Sequence, residues 1–79
     1  MVTRKMKTID LHGYKVHDGW RRFIAFAYEK SADKEKYVRV ITGHGLIQKE
    51  FPDWCEACVH VRKWENEPYN KGSWKVRLR

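Results

Sequence analysis

The sequence predicts a small α/β sandwich, a mixed four-stranded sheet covered by two helices in the order βαβαββ, and three patterns carry that expectation. Val16, Trp20, Phe23, Ile24 and Ala27 recur at helical spacing and share one face. Tyr37-Val38-Arg39-Val40-Ile41 is aromatic or β-branched almost throughout, as strands are. Val59 to Trp64 and Trp74 to Arg79 alternate apolar and polar residues, the period of a half-buried strand.

In order, Met1 to Lys7 is basic and unpatterned and reads as a flexible arm, leaving 8–79 as a single domain. Thr8 to Leu11 is a short strand that stops at His12-Gly13. A helix follows over Val16 to Lys30, begun by Lys15 in place of a capping Ser, Thr or Asp. Gly19 inside it costs about 1 kcal/mol relative to Ala, which tight packing against a neighbour would explain. Ser31 to Lys36 connects to the second strand, Tyr37 to Ile41, which should lie parallel to the first. A short second helix runs from Leu46 to Glu50 and ends at Pro52. The last two strands pair as a hairpin across the turn-rich stretch Asn66 to Ser73.

Of 79 residues, 17 are Lys or Arg and 10 are Asp or Glu, a formal net charge of +7 that favours polyanionic partners, nucleic acid first. No apolar run approaches the roughly 20 residues that a membrane-spanning helix needs, and the first residues lack a signal-peptide core. The expectation is a cytoplasmic protein, not a membrane one, with Cys55 and Cys58 reduced. Those cysteines with His60 give three zinc-capable side chains, but no fourth ligand and no second CxxC follow, so packed thiols are the reading preferred to zinc. Trp20, Phe23, Phe26 and Tyr28 sit at helical spacing and read as core or half-core, not as base-stacking platforms.

Chemistry concentrates where the first two strands end. Asp10 and His12 are two residues apart, so on a strand both side chains leave the same face at its C-terminal end, where ligands bind in open sheets. Thr42-Gly43-His44-Gly45 links the second strand to a helix, and its backbone N–H groups suit a phosphate. Histidine shuttles protons near neutral pH, and a carboxylate beside it fixes one tautomer. Asp10 would orient and His12 transfer the proton. Lys49 and Arg77 are the cations assigned to the developing phosphorane charge.

Asp10-Leu11-His12-Gly13, Val40-Ile41-Thr42-Gly43-His44-Gly45, Pro52-Asp53-Trp54, and Gly72 before Val76-Arg77-Leu78-Arg79 fall in the order of the motifs of the Smr (small MutS-related) domain family, which the chain resembles from Thr8 onward. Thr42 stands where many members carry His, which leaves His44 at the variable position of the motif. The resemblance implies a sandwich related to the C-terminal domain of translation initiation factor three. It implies endonuclease activity on DNA or RNA, with Asp10 and His12 as the catalytic pair and Gly13, Thr42, Gly43, His44 and Gly45 around the substrate phosphate. No cofactor is called for outright, and a divalent metal is compatible with the site. Two routes stay open: attack by an RNA 2′-hydroxyl without metal, or attack by water on DNA with a divalent metal held by Asp10. A different class also fits the charge, a non-catalytic module that docks on DNA, RNA or a ribosome; oligomeric state and substrate preference are not encoded legibly.

Overall fold

A computed structural model describes residues 6–79. Its elements are β1 (Lys7–Asp10), α1 (Val16–Ala32), β2 (Tyr37–Ile41), α2 (Leu46–Ala57), β3 (Val61–Glu67) and β4 (Asn70–Leu78), the βαβαββ order the pattern predicts. Of the basic arm, residues 1–5 lie outside the described residues, and Lys7 already belongs to β1.

The sheet runs β1-β2-β4-β3. β1 and β2 are parallel, with Asp10 opposite Ile41, while β4 pairs antiparallel with both β2 and β3. The last strand is therefore central and the hairpin's first strand lies at an edge.

Alternation decides which face is covered. Val38, Val40, Trp74, Val76 and Leu78 are buried on one face, and Phe23, Ala27, Ile47, Phe51 and Trp54 close over them from the helices. Aromatic edges fill the layer between: Phe23 meets Phe51 at 5.0 Å and Phe51 meets Trp74 at 4.9 Å between ring centroids, geometries that add to area burial. Gly19 is explained by the helix crossing. A Cβ there would fall 2.9 Å from Ile47 Cδ1 and 3.3 Å from Trp54 Cη2, so an Ala at this crossing would require the Ile47 side chain to shift. At the other end of α1, Lys34 adopts φ +63° where Gly is usual, and the Glu35 N–H closes back on the Lys30 carbonyl.

Three expectations need correction. The second helix passes through Pro52 and ends at Ala57, because Phe51, Trp54 and Cys55 are all buried by continuing it. Packing thus offsets the one backbone hydrogen bond that proline cannot donate to Gln48. The stretch Asn66 to Ser73 is mostly strand, and only Pro68-Tyr69 turns. Its polar residues are tied across the sheet: Glu67 accepts from Arg39 and from the Ser73 hydroxyl at 2.9 Å, and Asn66 donates to the Lys71 carbonyl at 2.7 Å. Finally Tyr28 is 62% exposed and meets the His60 ring edge-on, whereas Phe23 is in the core and Trp20 and Phe26 pack partly against it.

Cys55 and Cys58 are free thiols buried at the end of α2. Burial pushes the Cys55 thiol far above its usual range, with Cys58 adding to the shift, so it is a packed apolar group at neutral pH. Among the described residues no three His, Cys, Asp or Glu side chains gather as metal ligands.

Candidate functional site

β1 ends at Asp10, and the chain then turns through His12 and Gly13 into α1. His12 therefore lies beyond the strand, and a turn rather than the two-residue strand period brings it to Asp10. One carboxylate oxygen does both jobs: Asp10 Oδ1 accepts from the His12 backbone N–H at 3.0 Å and from its Nδ1 at 2.7 Å. Those two hydrogen bonds, the side-chain one first, hold the Asp10 carboxyl below its ordinary value despite slight burial. An ionised Asp10 fixes the ring hydrogen on Nδ1, and Nε2 is left without a partner among the described residues. Both side chains are open to solvent, at 69% for His12 and 50% for Asp10.

Parallel pairing of β1 and β2 sets the second loop beside this pair. Leu11 N–H donates to the Ile41 carbonyl at 2.7 Å, locking the two strand ends together. Gly43 then passes His12 at φ +73°, and a Cβ on it would meet the His12 Cβ at 3.1 Å. Only glycine combines that backbone with that approach. A groove opens between the two loops, walled by His12 to Val16 on one side and Thr42 to Ile47 on the other.

Within the Gly-rich loop the roles divide. Thr42 is buried, and its hydroxyl lies 3.2 Å from the Gly72 carbonyl while accepting from Trp74 Nε1 at 3.0 Å. The Thr42 and Gly43 N–H groups both donate to the Gly72 carbonyl, at 2.7 and 3.1 Å. Neither N–H is left for a phosphate. Thr42 is thus a structural brace, which departs from the substrate-contact role expected of it. The N–H groups that stay unclaimed by any described residue are those of His44 and Gly45, together with the first turn of α2, whose N-cap Gly45 offers no side-chain acceptor. Replacing Thr42 by Val should strand the buried Trp74 Nε1 donor and lower stability by about 1–3 kcal/mol, read as a shift in urea midpoint; an unchanged midpoint would show the brace to be dispensable.

Of the two cations assigned from sequence, Arg77 is misplaced. It pairs with Tyr37 at the far end of β2, whereas the site lies at Ile41, opposite Ser73. Four strand residues separate them, roughly 13 Å. Arg77 instead sits 5.7 Å from the Tyr37 ring centroid, with Lys75 at 4.6 Å. Lys49 is exposed on α2 but does not line the groove. The cation that does is Lys15, beside Tyr14, and neither residue belongs to a motif that would have marked it in the sequence. The hairpin also reaches this end, since Gln48 Nε2 donates to the Lys71 carbonyl at 2.9 Å.

Fold and site together define a two-layer α/β domain with an exposed carboxylate–imidazole pair beside a glycine-rich loop at the ends of two parallel strands. The chain belongs to the Smr domain family, whose model matches residues 9–78, a family of nuclease-related, nucleic-acid-binding domains. Its fold is similar to the Smr domain of Thermus thermophilus MutS2, with TM-score 0.88, 20% identity, 94% of this chain and 99% of that one covered. It is similar to YdaL, a stand-alone small MutS-related protein from Escherichia coli, at TM-score 0.78 and 20% identity, covering 91% of this chain and 63% of that one. The SMR domain of NEDD4-binding protein 2 matches at TM-score 0.73 and 22% identity, over 100% of this chain and 92% of that one. No curated protein sequence matches the chain.

Proposed function

We propose that this domain is an endonuclease that cleaves phosphodiester bonds in DNA or RNA, with His12 as the proton-transferring group and Asp10 as the residue that orients it. The observation that carries the reading is the double hold of Asp10 Oδ1 on His12, which leaves Nε2 free on a residue that lines the groove. An attacking hydroxyl there would lose its proton to Nε2 as it bonds to phosphorus, the scissile P–O bond would break, and the leaving oxygen would take a proton from solvent, while the N–H groups of His44, Gly45 and the first turn of α2 meet the charge growing on the phosphate oxygens. Lys15 supplies the nearby cation.

Asp10 keeps one carboxylate oxygen, Oδ2, outside its contacts with His12. That donor set fits a divalent cation held mostly by substrate phosphate, since magnesium commonly binds through one or two carboxylates. Such a cation would activate water for attack on DNA, whereas an RNA 2′-hydroxyl needs only the base. Nicking of supercoiled plasmid and cleavage of structured RNA, each with and without chelator, tests both the activity and the route. No cleavage of either substrate by folded, nucleic-acid-bound protein would leave the docking module as the function.

With a net charge of +7, binding should rest mainly on phosphate contacts. Affinity should therefore fall linearly on a log–log plot against salt, with a slope of about 0.9 for each phosphate neutralised on duplex DNA. Little base-sequence preference is expected, and a flat salt dependence would remove the electrostatic premise.

A further inference from the structure

We propose that Tyr14, backed by Arg22, is a stacking subsite for an unpaired base next to the scissile phosphate, which makes single-stranded or locally unpaired nucleic acid the substrate. The proposal rests on the nucleic-acid reading above and adds which form of nucleic acid the site takes.

Tyr14 is the junction of three concavities. It walls the groove shared with the Gly-rich loop, it borders the hollow that contains Asp10 and His12, and it edges a third hollow formed with Asp18, Arg21 and Arg22 on α1. The Arg22 guanidinium lies 4.5 Å from its ring centroid, which holds the ring by a cation–π contact. Tyr14 is nonetheless 41% exposed and lies outside the core cluster. Lys15, Arg21 and Arg22 surround it against two acids, Asp10 and Asp18, so the surface keeps a net positive charge.

That combination matches one ligand chemistry. A flat aromatic ring beside cations takes a nucleobase face together with its flanking phosphates, and every base offers such a face. In a duplex those faces are already stacked on neighbours, so only an unpaired base can reach the ring. A base on the exposed part of Tyr14 would leave its neighbouring phosphate in the adjoining hollow, beside the Asp10–His12 pair. The site would then choose its substrate by strand form and not by sequence.

The experiment measures binding of one oligonucleotide, single-stranded and as a blunt duplex, at fixed ionic strength by fluorescence anisotropy. A 2-aminopurine in the single strand reports stacking by quenching. Wild type should prefer the single strand and quench the probe. Tyr14→Ala should weaken single-strand binding roughly ten-fold, abolish quenching and change duplex binding little, whereas Tyr14→Trp should retain both signals. Arg22→Gln should weaken single-strand binding more than Arg62→Gln, which removes the same charge from exposed β3. Equal losses on both substrates, or quenching that survives in folded Tyr14→Ala, would overturn the subsite. The catalytic reading fails separately: His12→Ala should bind and quench like wild type, and a wild type that quenches without cleaving sinks cleavage but not the subsite.

Discussion

Asp10→Asn and His12→Ala should each lower cleavage by about 10²–10⁴-fold, the usual contribution of a positioned proton-transfer group, and the double variant should lose little more than either single one. The reason is geometric. A single oxygen, Asp10 Oδ1, fixes both the backbone and the ring of His12, so the two residues act as one unit. Asp10→Asn keeps the size but replaces the ionised acceptor with an amide, and the ring then has no charge holding its hydrogen on Nδ1. Binding should survive in all three variants because the formal charge of +7 is spread over the chain. The pH dependence has a definite sign. The folded Asp10 carboxyl titrates below its unfolded value, so whatever its contacts contribute to stability is present above the unfolded pKa and fades only as pH falls through the folded one. Near neutral pH, therefore, Asp10 stays ionised and does not itself shape the cleavage profile. Rates and binding constants for the four proteins, with circular dichroism as a check on folding, decide the matter. Full cleavage by folded His12→Ala removes His12 from the reaction, and losses that multiply point to two independent roles, such as a metal ligand and a separate proton donor.

The strand–helix–strand half of the molecule was legible because its information is local. Tyr37 to Ile41 has one period and α1 another, and the change between them marks the strand end and loops where Asp10, His12 and Gly43 sit. The rest depended on partners far along the chain. Pro52 reads locally as a stop, yet Trp54 and Cys55 beyond it are buried on the helix that continues. Asn66 to Ser73 reads locally as a turn, yet Glu67 is claimed by Arg39, 28 residues away. Arg77 reads as a site cation only from its expected proximity, and the register that puts it beside Tyr37 is not written in any motif. Thr42 looked like a ligand contact because of its loop, and the carbonyl and indole that take its hydroxyl lie on β4, 30 and 32 residues on. Tyr14 and Lys15 were passed over for a related reason, since they become a groove wall only when β2 brings its loop alongside.

Gly72→Ala should be the most damaging single-methyl change near the site, costing about 2–4 kcal/mol. Its added Cβ would lie 3.0 Å from both the carbonyl carbon and oxygen of Gly43 and 3.1 Å from its Cα. Those are backbone atoms and cannot swing aside as a side chain can. Relief requires β4 and the Gly-rich loop to part, and the Gly72 carbonyl is what joins them, accepting from the N–H groups of Thr42 and Gly43 and lying within reach of the Thr42 hydroxyl. Each such bond is worth about 1 kcal/mol net, so losing two or three accounts for the estimate. Gly43→Ala strikes the same loop from its other side. It imposes the left-handed backbone on a residue with a Cβ, about 1–2 kcal/mol, and presses on His12 at 3.1 Å, so cleavage should fall further than stability alone explains. Gly45→Ala is the contrast: its φ is negative and nothing lies within 4 Å of the new atom, so it should cost least of the three. Urea midpoints and cleavage rates for the three variants test the order. A Gly72→Ala protein as stable as wild type would mean that β4 does not hold the loop in place, and the site would then owe its shape to β1 and β2 alone.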